Sequence, residues 1–130
     1  MFRAIHGKGK LVIGNGCSGM KLKDVIIDIS GDIVFGNDII VSDQCIIYTH
    51  QHPMKKNKSI TKQTKEDGVK LTSLVIGDDV FLGARCIILP SVTNIPKGCV
   101  IAAGAVLTKN PMGEYEIWGG NPAKKIGERK

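Results

Sequence analysis

A six-residue period runs through this chain, and it limits the possible folds more than any single motif does. From Ile76 the sequence reads IGDDVF, LGARCI, ILPSVT and, after one extra residue at Asn94, IPKGCV, IAAGAV, LTKN. The same phase appears upstream in FGNDII, VSDQCI and IYTHQH, from Phe35, Val41 and Ile47, and in IGNGCS and ISGDIV, from Ile13 and Ile29. Each block opens on an apolar residue. The fifth residue is mostly Val, Ile, Cys or Ala, and the third and fourth are often polar or Gly. This is a short strand followed by a corner. Strand alternation sends the fifth residue and the next first residue to one side, into a narrow core, and the intervening sixth outward. Six residues cannot bury their own inner face, so successive coils must stack. The pattern predicts an all-β chain folded as a parallel β-helix. An α-helical reading fails because the apolar spacing follows two and six rather than about 3.6, and an antiparallel sandwich needs hairpin turns that the pattern lacks.

The repeat also organises the chain. A single domain spans 1–130, with coils over about 11–52 and 75–110, a long loop excursion at 53–73 and a short C-terminal tail at 111–130. Pro53 stands where the next block should open. All four cysteines (Cys17, Cys45, Cys86, Cys99) occupy fifth positions, which marks them as reduced core residues rather than a disulfide framework. The net charge is +6, but aromatic residues are few and no nucleic-acid-binding signature appears, so no nucleic-acid partner is expected. Much of the charge lies in the excursion, where Lys55, Lys56, Lys58, Lys62, Lys65 and Lys70 meet only Glu66 and Asp67. Two readings stay open for it: a solubilising surface, or a flap that draws an anionic acceptor toward a site. No apolar run approaches the roughly 18 residues of a membrane span, and Met1 to Lys10 lacks a signal peptide's apolar segment. A cytoplasmic protein is the expectation.

Three local segments carry a resemblance beyond the period: THQHP (Thr49 to Pro53), VIAAGAVLTK (Val100 to Lys109) and WGGNPAKKI (Trp118 to Ile126). Together with the repeats, from about Ile13 to Ile126, they resemble the hexapeptide-repeat acyltransferases, in particular the maltose, galactoside and polysaccharide O-acetyltransferases. The resemblance implies a left-handed coil, against the usual right-handed crossover rule. It also implies a homotrimer with sites at subunit interfaces, and acetyl-coenzyme A as acyl donor to a hydroxyl of a sugar or saccharide.

A hydroxyl is a poor nucleophile until its proton is removed, and neutral imidazole suits that task near neutral pH. The resemblance makes His52, directly before Pro53, the general base. His50 is its companion, orienting it, binding the acceptor or sharing its role. For the cofactor, the resemblance points to Ala84 and Ala103 along the pantetheine arm and to Thr108, Lys109 and Lys124 near the phosphate-rich nucleotide. By the same resemblance Lys124 stands where relatives carry one arginine and Gly127 where they carry a second, so either Lys125 and Arg129 substitute or the phosphate is left to solvent. Asp28 and Asp32 are candidates to meet the acceptor's hydroxyls. Direct transfer in a ternary complex is expected, with a backbone amide facing the oxyanion and no covalent cysteine intermediate. Two alternatives remain: N-acetylation of an amino sugar, and a zinc hydrase like the γ-class carbonic anhydrases, with His6, His50 and His52 as ligands. No metal is expected on the acyltransferase reading.

Overall fold

Apolar residues at both ends of each corner drive the chain inward at regular intervals, and the result is a coil of stacked short strands. The computed structural model describes residues 5–20 and 24–130. The first coil contains β1 (Ile5–His6) and β2 (Leu11–Ile13), and the second β3 (Ile26–Asp28), β4 (Ile33–Phe35) and β5 (Ile40–Val41). The third begins with β6 (Ile46–Ile47), leaves the coil through β7 (His50–Gln51), α1 (Ile60–Asp67) and β8 (Lys70–Leu71), and resumes with β9 (Leu74–Ile76) and β10 (Phe81–Leu82). β11 (Ile87–Ile88), β12 (Asn94–Ile95) and β13 (Val100–Ile101) make the fourth, while β14 (Val106–Leu107), β15 (Glu116–Gly120) and β16 (Ala123–Glu128) close the stack.

Corresponding strands of successive coils pair to form three faces. The first runs β1, β3, β6, β11, β14; the second β2, β4, β9, β12; the third β5, β10, β13, β15. All these pairs are parallel. The register stacks like on like: Ile27, Ile47, Ile88 and Leu107 follow one another inside the first face, and each is completely buried. Full burial of such a side chain contributes about 1.5 to 3 kcal/mol, so the stack itself stabilises the coil.

The corners explain the polar third and fourth positions. Asp38, Gln44, Asp79 and Arg85, all fourth residues of their blocks, have φ near +60°, and Gly16, Gly98 and Gly104 occupy equivalent places. A left-handed non-glycine residue costs about 1 to 2 kcal/mol. Here it aims a backbone N–H at the third-position carbonyl of the preceding coil, as in Asp38 to Asn15, Asp79 to Asn37 and Arg85 to Asp43, at 2.8, 2.8 and 2.9 Å. The bond satisfies groups that a tight corner would otherwise leave unpaired.

Three boundaries differ from the sequence reading. The coil begins by Ile5 rather than about residue 11, because Ile5 and His6 pair with Ile27 and Asp28. The excursion is a folded arm. Ser59 caps α1 by accepting from Lys62 N–H, Gly68 ends it at φ +75°, and β7 and β8 form an antiparallel pair at its base. The tail extends the third face, since β15 pairs in parallel with β13 and β16 folds back antiparallel on β15.

Candidate active site

The segment YTHQHP leaves the first face at Ile47 and turns toward the arm. Beneath it in the stack lies Asp28, wholly buried, with both carboxylate oxygens engaged. Oδ1 accepts from the Ser30 hydroxyl at 2.6 Å, and Oδ2 from the Thr49 N–H at 2.9 Å. His50 Nδ1 stands 2.6 Å from Oδ2. The Thr49 hydroxyl donates to the Asp28 carbonyl at 2.6 Å and accepts from Gly31 N–H at 3.0 Å, tying the two coils together. Burial alone would raise the Asp28 pKa, but the bonds from Ser30, Thr49 and His50 outweigh it and hold the group at about 2, below its ordinary 3.8. An ionised carboxylate can only accept, so His50 carries its proton on Nδ1 and leaves Nε2 free. His6, paired in register with Asp28, faces the same carboxylate more loosely, at 3.8 Å.

His52 obtains the same tautomer from the arm. Its Nδ1 lies 3.0 Å from Thr64 Oγ1, and that hydroxyl spends its own hydrogen on the Ile60 carbonyl at 2.8 Å. The hydroxyl must therefore accept from His52, which again frees Nε2. The two imidazoles meet edge to face with centroids 5.6 Å apart. His52 opens onto a cleft of about 610 Å³ within the arm, bordered by Met54, Lys55, Gln63 and Lys70.

Asp28 does not match the expectation that it meets an acceptor's hydroxyls: it is sealed under His50 and both its oxygens are taken. Asp32 keeps an exposed carboxylate, which also accepts from Lys10 N–H at 2.8 Å, on an open hollow beside the arm's base. Ala84 and Ala103 lie at stacked corners of adjacent coils, joined by a bond from Gly104 N–H to the Ala84 carbonyl at 2.8 Å. Those corners follow the third face, whereas the histidines follow the first. Lys109 and Lys124 border one small cleft of about 280 Å³ with Trp118, and the Lys109 ammonium sits 5.9 Å from the indole centroid. The indole itself is buried, 4% exposed, so it lies beneath the cleft and the two lysines supply the cations at its surface. Thr108 precedes Lys109 and gives its carbonyl to the Ser91 hydroxyl at 2.6 Å. The two substitutes for the missing arginine are otherwise engaged: Lys125 pairs with Glu128 and Glu116, and Arg129 with Asp79 at 2.8 Å and the Gly98 carbonyl at 3.1 Å.

Among the described residues, no group of three or more His, Cys, Asp or Glu is placed to hold a metal ion. Residues 73–109 match the family model described as the hexapeptide repeat of succinyl-transferase. A probable acetyltransferase of Mycobacterium tuberculosis is 31% identical over 108 residues, covering 83% of this chain and 34% of the relative. Galactoside acetyltransferase in complex with coenzyme A superposes with a TM-score of 0.73 at 20% identity, over 91% of this chain and 55% of that one. The N-acyltransferase AntD from Bacillus cereus, bound to dTDP and 3-hydroxybutyryl-CoA, gives 0.68 at 21% identity, over 97% and 79%. This is a hexapeptide-repeat protein with the acyltransferases' left-handed β-helix fold.

Within that hexapeptide-repeat fold, several residues around the histidines escaped the sequence reading. Ser30 stands two residues from Asp28, but Thr49 reaches it only because one coil takes about twenty residues, as the pairing of Ile27 with Ile47 shows. Counting that longer period would have put Asp28 beneath Tyr48 and Thr49. Thr64 and Gln63 carried no signal, because the arm reads as a charge run and its helix is mostly exposed. Glu116 was legible only as part of the tail. It is buried, accepts from the Trp118 indole at 3.0 Å and from Met112 N–H at 3.0 Å, and these bonds, the indole's foremost, pull its pKa down.

Proposed function

We propose that this chain moves an acetyl group from acetyl-coenzyme A to a hydroxyl of a sugar or saccharide, working as a homotrimer. The observation that carries the reading is the histidine pair: both rings hold Nδ1 against an acceptor and leave Nε2 free, and His52 borders a cleft. His52 is the base, since it borders the cleft and occupies the histidine–proline position of the resemblance. It takes the acceptor's proton as the thioester carbonyl is attacked and returns it to the departing thiolate, while a backbone N–H stabilises the oxyanion. The Lys109, Lys124 and Trp118 cleft receives the nucleotide end of the donor, and Ala84 and Ala103 leave room for its pantetheine arm. Transfer is direct: Cys45, Cys86 and Cys99 are wholly buried, and the half-buried Cys17 turns its thiol to the Gly36 carbonyl at 3.2 Å. Hydrogen bonding to Cys86 and then burial push the Cys45 thiol up, and burial does so for Cys99.

The trimer is supported by two features. The histidines and the alanine corners follow different faces of one chain, so a second copy is needed to bring them together. Val12, Val34 and Val75 also stand in register on the outside of the second face, 54%, 39% and 48% exposed, an apolar stripe suited to self-association. A second reading makes His50 the base, favoured by its contact with buried Asp28, the arrangement of a catalytic His–Asp pair. The test is thiol release from acetyl-coenzyme A with a panel of hydroxyl and amino sugars, alongside sizing chromatography. His52→Ala should lower turnover by about a hundredfold or more while the protein keeps its size and donor binding. Near-normal turnover in His52→Ala with loss in His50→Ala transfers the role to His50. Turnover only with amino sugars makes the reaction N-acetylation.

A further inference from the structure

The arm adds little to the core of the coil, since α1 buries only Gln63, yet it is firmly built. The Gln63 amide accepts from Lys55 N–H at 3.0 Å and donates to the carbonyls of Lys55 and Lys58, both at 2.7 Å. These bonds fix residues 55–58 against the helix as one wall of the cleft. The opposite wall comes from β8, whose Lys70 pairs with Gln51. Lys58 is turned away into an ion pair with Glu66. Lys55 and Lys70 both border the cleft and make no ion pair among the described residues; Asp67 is the acidic residue on its rim. Pro53, Met54 and Val69 supply apolar surface between them. A volume of about 610 Å³ falls within the ~300 to 1,000 Å³ of small-molecule sites.

On the transferase reading above, we infer that this cleft is the acceptor site and takes a saccharide bearing an anionic group, a carboxylate or phosphate. Lys55 and Lys70 meet the charge while His52 faces the hydroxyl to be acetylated. Lysine ammonium groups act as point charges on flexible stems rather than as planar forks, so the chemistry selected is negative charge and not one anion's shape. Two flanking cations also raise the local concentration of an anionic acceptor in a salt-dependent way.

The full-length protein is titrated with glucose, glucuronic acid and glucose 6-phosphate, following the His52 ring resonances by NMR without donor, and thiol release is then measured with the same three sugars. The inference expects one or both anionic sugars to move the His52 signals and to bind about tenfold tighter than glucose, the sum of two partly solvated charge contacts. Comparing the two anionic sugars separates carboxylate from phosphate. Lys55→Gln combined with Lys70→Gln should erase the preference. Lys62→Gln combined with Lys65→Gln, which removes the same two charges from the arm outside the cleft, should retain it. Equal binding of all three sugars, no binding of any, or a preference that survives the double substitution overturns the inference. Binding of the anionic sugars with no thiol release overturns the transferase reading and leaves the cleft standing as an anionic-saccharide site alone.

Discussion

Replacing Asp28 by Asn tests the node that links the second coil to the histidine segment. Each pH unit of pKa depression is worth about 1.4 kcal/mol. The fall from 3.8 to about 2 therefore gives the ionised carboxylate about 2 kcal/mol of folded-state stability. Because the folded pKa lies below the unfolded one, this contribution is fully present above pH 4 and fades as the pH drops toward 2. Asp28→Asn should cost about 2 kcal/mol at pH 7, and the gap between variant and wild type should narrow steadily below pH 4. Glu116 also has a depressed pKa and adds its own acid sensitivity, but it is common to both proteins and cancels in the difference. The assay is urea unfolding followed by circular dichroism across pH 2.5 to 7, at one fixed protein concentration so that any assembly contributes equally. A variant as stable as wild type at pH 7, or a stability gap that stays constant across the acid range, would refute the assignment of Asp28 as an ionised, multiply bonded anchor.

Other parts of the structure lead to separate measurements. A Cβ on Gly31 would stand 1.6 Å from the Thr72 carbonyl oxygen, where the arm rejoins the coil; Gly31→Ala should cost about 3 kcal/mol through overpacking, read as a lowered denaturant midpoint. Trp118 is the chain's single tryptophan and borders the Lys109 and Lys124 cleft, so coenzyme A should change its fluorescence, and Lys124→Gln should weaken the response about threefold or more. With Cys45, Cys86 and Cys99 buried and Cys17 half-buried, a thiol reagent should modify at most one cysteine quickly in the native protein and all four in denaturant. Gln63→Ala removes the bonds that hold residues 55–58 to α1, so amide exchange there should accelerate by about tenfold or more while the coil's amides keep their protection.

The coil itself was readable because its rule is local. From Phe35 onward, first positions such as Ile76, Leu82, Ile88, Ile95, Ile101 and Leu107 are fully buried, as are the fifth-position cysteines Cys45, Cys86 and Cys99. The rule weakens at Ile13, 44% exposed, because the first coil has the stack on one side only. What the six-residue period conceals is which block lies above which. Ile46 pairs with Ile26, twenty residues back, and with Ile87, forty-one ahead, because the arm intervenes within one coil. Asp28 and His50 are thus distant in sequence, and an aspartate in a corner-rich segment looks like any other turn residue. The arm was the least legible part. Its helix buries one polar side chain, and without an apolar face a helix of this length leaves no periodic trace.

The same geometry bears on the trimer proposed above. A β-helix spreads its residues over three faces and three edges, and each coil contributes only two or three residues to any one of them. The histidines leave the first face toward the second, whereas Ala84 and Ala103 lie on the turn from the third face to the first. On the proposed function, a donor lying along the alanine edge of one chain would be separated from that chain's own histidines by the width of a face. The coil is packed solid with isoleucine, valine and leucine from coil to coil, so no route through the core connects the two edges. A neighbouring copy laid edge to edge would join them without altering either surface. The outward valines of the second face, adjoining the histidine edge, supply apolar area where that contact would form. On the proposed function, self-association and a site divided between edges belong to one physical argument: a rigid coil cannot bend to bring its own edges together.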